Sequence, residues 1–225
     1  MPYLVKNVSG VGKGVSTVVV QNVGATPVAP TLVVRPLGVD TPTFFPGPLV
    51  QPGRSWAFDP RYVNGGTSRV LCGSAASAGC LADGEHSATV VADNDAVASA
   101  VNIIGTTAGG YAGILNGGGR VFLPNVTRRL GGASGWTTPL VVQGNTATIA
   151  TVRWYRFSDR TLVTTQALTL GTGLSRWVDP RDVPGLADGT QHPVVIGGNG
   201  SLGAIVIQMN FSGGDGAMIC EGAFW

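Results

Sequence analysis

Apolar side chains recur at every second position, or in short unbroken runs, along most of this chain. No window of about 11 residues or more carries the three-to-four spacing of an amphipathic helix. Gly, Pro, Asn and Asp punctuate the runs. The pattern predicts strands near residues 3–6, 15–23, 28–35, 43–50, 55–58, 87–92, 96–104 and 110–114, then near 121–125, 137–143, 146–157, 161–170, 175–178, 193–196, 202–210 and 217–223. Seven or eight short strands in each half, at this spacing, are the signature of an antiparallel β-sandwich.

The second half also repeats the first. Asp59-Pro60-Arg61, after the strand containing Trp56, returns as Asp179-Pro180-Arg181 after the strand containing Trp177. VVVQN at Val18–Asn22 answers LVVQG at Leu140–Gly144, LVKNVS from Leu4 answers FLPNVT from Phe122, and LADGEH from Leu81 answers LADGTQH from Leu186. Four blocks in one order predict two tandem copies of one unit related by internal duplication. The first copy spans residues 1–116 and the second 117–225, and about fifteen extra residues give the first an insertion over about 62–80. LNGGGR, from Leu115, reads as the connector.

In each Asp-Pro-Arg, the carboxylate is placed to cap a single helical turn, and the proline sits where a missing N–H costs nothing. The motif therefore reads as a structural corner, with Arg61 and Arg181 free to brace a neighbouring loop. Trp56 and Trp177 read as matched core residues, one per copy. Trp154-Tyr155 has no aromatic counterpart in the first copy, so it is the candidate ligand-stacking pair if the chain binds sugars.

Composition narrows the function classes. Charged residues make up 12% of the chain, Gly is 35 of 225 and mean hydropathy is +0.26, unlike a disordered segment. A formal net charge of +2 with scattered arginines gives no footprint for nucleic acid. Twelve of the fourteen basic residues are Arg, which suits structural pairing or a packed subunit interface, with GC-rich codon usage as the alternative. No apolar run is long enough to span a bilayer, so no membrane insertion is expected. Cys72 and Cys80 bracket a small flexible loop in the insertion and are expected to form a disulfide. That pairing points to an oxidising, extracellular or cell-surface location. Met1-Pro2-Tyr3 leads straight into strand-like sequence without a signal peptide, so the chain is expected to be a mature form or to stay inside the cell, and the cysteine pair favours the first. Cys220 reads as a buried free thiol.

Catalytic groups are sparse. The chain has two His, His86 and His192, at matching strand starts, and two Glu. There is no nucleophile elbow, zincin helix or phosphate loop; GVGKG from Gly10 lacks the spacing and reads as a hairpin. Asp93-Asn94-Asp95 is too small an oxygen set for Ca²⁺ and reads as a turn. No enzyme activity, metal or cofactor is expected.

The run FLPNVTRRLGGASGWTTPLVVQ, the strand VRWYRFSD, then LSRWVDPRDVPGLADG and a strand ending at Gln208 resemble repeats of roughly a hundred residues from secreted and surface proteins of filamentous bacteria such as Chloroflexota. The resemblance implies non-catalytic, immunoglobulin-like extracellular modules. The first copy departs from it by its cysteine insertion and by lacking the Gly135-Trp136 pair.

Together these features lead to the expectation of a non-enzymatic extracellular structural protein, a subunit of a cell-surface filament or sheath whose partner is a further copy of itself, assembled head to tail. Terminal-strand complementation would supply the contact, with Tyr3, Val5, Ile219 and Phe224 as the residues setting register. The alternative is a tandem adhesin or carbohydrate-binding module directed at surface glycans. A duplicated coat protein and an enzyme are weaker readings.

Overall fold

The computed structural model describes residues 1–8, 14–93, 97–105, 108–114, 117–210, 215–221 and 223–224. The fold is all-β with antiparallel pairing throughout, and its short helical pieces are single 3₁₀ turns. Among the described residues, no helix is long and apolar enough to cross a membrane. Two compact units divide between Gly113 and Ile114.

The first unit holds β1 (Leu4–Lys6), β2 (Gly14–Asn22), β3 (Thr31–Pro36), β4 (Thr43–Pro46), β5 (Ser55–Phe58), β6 (Gly84–Val91), β7 (Val97–Gly105) and β8 (Ala108–Ala112). They form two four-stranded sheets, β1-β6-β3-β4 and β5-β2-β7-β8. The VVVQN block lies in β2, whose alternate residues Val18 and Val20 are buried, as a half-buried strand requires. Phe45 of one sheet meets Phe58 of the other with ring centroids 4.8 Å apart, so the two sheets share a core as the layers of a sandwich do.

The second unit holds β9 (Gly118–Arg128), β10 (Trp136–Thr137), β11 (Leu140–Gly144), β12 (Thr148–Tyr155), β13 (Leu162–Leu170), β14 (Ser175–Val178), β15 (Thr190–Asn210), β16 (Asp215–Glu221) and β17 (Ala223–Phe224). The first half of β15 pairs with β9 and β12, and its second half with β11 and β16. The pattern led us to expect two strands here, 193–196 and 202–210. They are continuous because the Gly197-Gly198-Asn199-Gly200 run carries one strand from one sheet into the next, with the pairing register shifting between Gly197 and Leu202. With β15 counted by halves, the pairing order is β9-β15-β12-β13 and β14-β11-β15-β16, the order seen in the first unit. Side chains from both layers, among them Leu123, Val152, Trp154, Val142 and Ala204, form one core.

Candidate functional site

Each Asp-Pro-Arg corner is held by its own arginine. Asp59 accepts the Arg61 backbone N–H at 3.0 Å, and Arg61 Nε and Nη2 fork onto the same carboxylate at 3.0 and 2.6 Å. Asp179 and Arg181 repeat this at 2.8, 3.1 and 2.6 Å. The expected helical turn follows at Pro180–Asp182 with Asp179 as its cap. In the first unit the 3₁₀ turn comes later, at Val63–Gly66, and has no side-chain cap. The arginines, expected to be free to brace neighbouring loops, are not free: both guanidinium groups turn back onto the aspartates of their own corners. Partial burial pushes the Asp59 carboxyl up, yet the hydrogen bonds from Arg61 outweigh it and hold the group below the usual carboxylate range.

The loops are braced by residues that the sequence reading passed over. Lys6, at the end of β1, is fully buried. Its ammonium donates to Gly73 O at 2.6 Å and Leu81 O at 2.7 Å, and meets Asp83 Oδ1 at 3.1 Å, which uses all three of its donors. Arg128, at the end of β9, does the same work in the second unit. Its Nε meets Asp188 Oδ1 at 2.8 Å, and its Nη1 donates to Pro180 O and Val183 O at 2.9 and 3.0 Å. The next residue is left-handed in both units, Asn7 at φ 52° and Arg129 at φ 46°. Each turns its side chain onto the same aspartate, Asn7 at 2.9 Å and Arg129 at 2.8 Å. The guanidinium groups of Arg128 and Arg129 hold Asp188 below the usual carboxylate range. These aspartates belong to the repeated Ala-Asp-Gly, so that motif is where the signal lay. The block alignment set LVKN against FLPN, whereas pairing opposite His86 and His192 sets Leu4 against Val126 and Lys6 against Arg128.

A second shared bond joins the sheets near the same place. The Val5 N–H donates to Ser16 Oγ at 2.8 Å, and the Thr127 N–H to Thr138 Oγ1 at 3.2 Å, with both pairs buried.

Cys72 and Cys80 form a disulfide with Cα atoms 5.7 Å apart, as expected. The carbonyls taken by Lys6 belong to the residues following each cysteine, so the bridge and the buried ammonium hold the same loop from two directions.

The tryptophans are placed differently from expectation. Trp56 is buried beside Phe58, but Trp177 is only half-buried and lies on the opposite strand face from the buried Val178. Trp56 stands three residues before its aspartate and Trp177 two, and on a strand of period two one residue exchanges the faces. The matched core pair is thus corrected, and the spacing was the available signal. Trp154, expected as a ligand-stacking residue, is fully buried in the core and edge-on to His192 with centroids 6.3 Å apart, so no ring face is open to a sugar. Tyr155 is partly exposed, and its carbonyl accepts from His192 Nδ1 at 3.0 Å. Burial is the main force lowering the pKa of both His86 and His192, which favours their neutral forms.

The terminal strands are paired within their own units. β1 pairs with β6, β16 with β15, and β17 with β9. Tyr3 and Val5, expected to set register for a neighbour's strand, are buried instead. The Tyr3 phenol donates to Glu85, and burial pushes its pKa up. The Tyr111 hydroxyl bonds both the N–H and the carbonyl of Tyr3. The backbones of Ile219 and Phe224 pair with Ile207 and Val121, while their side chains and that of Cys220 lie outside the described residues. So do Gly10–Lys13, Asn94, Asp95 and Trp225. Among the described residues, no cluster of three or more His, Cys, Asp or Glu is placed to hold a metal ion.

The outer strands of the corresponding sheets differ. β4 is four residues long and lies in the run Thr41-Pro42-Thr43-Phe44-Phe45-Pro46-Gly47-Pro48, where prolines interrupt any further ladder. β13 is nine residues long, LVTTQALTL, with no charge and no proline, and among the described residues it pairs on one side only, with β12. Neither protein-family models nor curated proteins give a match to this chain.

Proposed function

We propose that the chain is a non-enzymatic extracellular structural protein, a subunit of a cell-surface filament or sheath, made of two immunoglobulin-like β-sandwich repeats related by internal duplication. The matched corners, cation–aspartate clamps and hydroxyl bonds support duplication, since unrelated sandwiches have no reason to share all three. The pairs β2–β5 and β3–β6 follow the B–E and C–F pairs of the immunoglobulin order, whereas β7 joins β2 instead of β6. The disulfide fits an oxidising exterior.

The observation that carries assembly is the β13 edge. A long, uncharged, one-sided strand is what folded proteins normally shorten, charge or cover, and head-to-tail pairing with a different edge of a second copy would cover it and leave the series open. Association through this edge replaces terminal-strand complementation in the proposal, because releasing β1 or β17 would first break pairs inside each unit. Electron microscopy across a dilution series should show uniform fibres, and Thr165→Lys with Ala167→Lys should disperse them while far-UV circular dichroism stays native. A monodisperse particle at every concentration, or fibres indifferent to the lysines, would sink the proposal.

A further inference from the structure

We infer that the outer face of the β9-β15-β12 sheet carries a binding cradle for an acidic polysaccharide, with Arg120 and Arg153 as its anion contacts. β9, β12, β13 and residues 190–197 of β15 contain no Asp or Glu. Their cations are Arg120, Arg128 and Arg153, and Arg128 is committed to Asp188. Arg61, Arg129, Arg156 and Arg181 likewise hold aspartates. The guanidinium groups of Arg120 and Arg153 have no hydrogen bond or ion pair among the described residues, so their charge is available to a ligand.

The two guanidinium-bearing chains meet over Gly197. Arg120 lies opposite Gly197 on one side, and Arg153 lies opposite Val195 on the other. A carbon at the Gly197 Cβ position would stand 3.5 Å from Arg153 Nη1 and 3.8 Å from Arg120 Cγ. The glycine therefore leaves a floor between them, in an open depression of about 450 Å³ that Ile149, Thr151 and Asn199 complete. Asn199 Oδ1 is taken by Thr148, which leaves its amide hydrogens for a ligand hydroxyl. Ile149 offers an exposed apolar rim. Paired guanidiniums match a carboxylate or a sulfate, and the amide, hydroxyl and apolar rim suit a sugar ring beside it.

An acidic peptide fits less well. The backbones of β9, β12 and β15 are already in ladders, so no strand can be added on this face, and there is no deep apolar socket for an anchoring side chain. Counted from His86 and His192, the first unit has Val33 and Val91 in place of Arg153 and Gly197, which leaves one cradle per chain.

Affinity electrophoresis through gels containing alginate, dextran sulfate, neutral dextran or poly-glutamate tests the inference. The two acidic polysaccharides should retard the chain and neutral dextran should not, with retardation falling as salt rises. Arg120→Ser with Arg153→Ser should weaken alginate binding on the order of tenfold or more. Gly197→Val fills the floor with only ordinary contacts at its Cβ, so it should fold and weaken binding as well. Arg176→Ser, on β14, should leave binding unchanged. Alginate binding that survives both cradle variants in natively folded protein would overturn the inference, as would an equal loss in Arg176→Ser. Poly-glutamate bound as tightly as alginate would assign the face to an acidic peptide instead.

Discussion

The two units hold the same aspartate in different ways. In the second unit the chain from Asp179 to Asp188 is short, and the Arg128 guanidinium spans it, reaching the aspartate with one nitrogen and two corner carbonyls with another, while Arg129 takes the second carboxylate oxygen. In the first unit the insertion lies between corner and aspartate, and the Lys6 ammonium bonds the carbonyls that follow the two cysteines instead of the corner. Lys6 is buried against the insertion, and the Cys72–Cys80 bridge closes the segment on itself. A guanidinium's spread of donors thus ties corner to aspartate directly, where the longer loop is held by a compact buried cation and a covalent tie.

The cores differ in the same spirit. The first unit buries Phe45 of β4 and Trp56 and Phe58 of β5, together with Tyr3 and Tyr111, and Gly65 lies so close under Phe58 that a Cβ there would stand 2.1 Å from the ring. The second unit takes its bulk from Trp154 on β12. Phe45, Phe58 and Trp154 stand on non-corresponding strands, so the buried aromatic positions do not align between the units.

The largest test of this comparison separates the tryptophans. Trp154→Ala should cost about 3–5 kcal/mol and Trp177→Ala less than about half of that, measured by urea unfolding. Equal losses would mean that Trp177 fills a core after all. Next come the clamps. Lys6→Ala strands Asp83 and two carbonyls around a buried site and should cost about 3–5 kcal/mol, whereas Arg128→Ala, at a partly solvated pair, should cost about 1–2 kcal/mol. A reversed order would show that burial does not distinguish them.

Reducing the Cys72–Cys80 bridge should lower stability by about 2–3 kcal/mol through the freed loop. The loss should appear in amide exchange of the first unit and leave β12–β15 protection unchanged.

The smallest effect is that of pH. His86 and His192 have folded pKa values below their unfolded value, so the unfolded chain binds protons first. Stability should fall as pH drops below about 6.5. Asp59 and Asp188, with lowered pKa values, lose their contribution at lower pH still, as pH falls through the carboxylate range. Thermal unfolding between pH 8 and 4 should therefore show a shallow decline, and His86→Gln with His192→Gln should flatten its upper part. A melting temperature rising towards pH 5 would contradict that sign.

Much of this could be read from local sequence. Alternation in β2 and β12 marked strands because a half-buried ladder imposes a period of two. Asp179-Pro180 announced its turn, because a cap and a fixed φ act within three residues. Cys72 and Cys80 were close enough for their pairing to be inferred from the loop alone. Tertiary structure decided the rest. Nothing near Lys6 reveals that its partner is Asp83, since strand pairing brings them together across the whole unit. The run from Gly197 to Gly200 looked like a break because only a sheet on each side shows one strand serving both. The charges of Arg120 and Arg153 count as unspent only once the fold shows that Arg128, on the same sheet, is committed to Asp188. Short-range hydrogen bonding and periodicity are local and are written in neighbouring residues; partners, faces and open edges depend on which distant strands the fold makes adjacent.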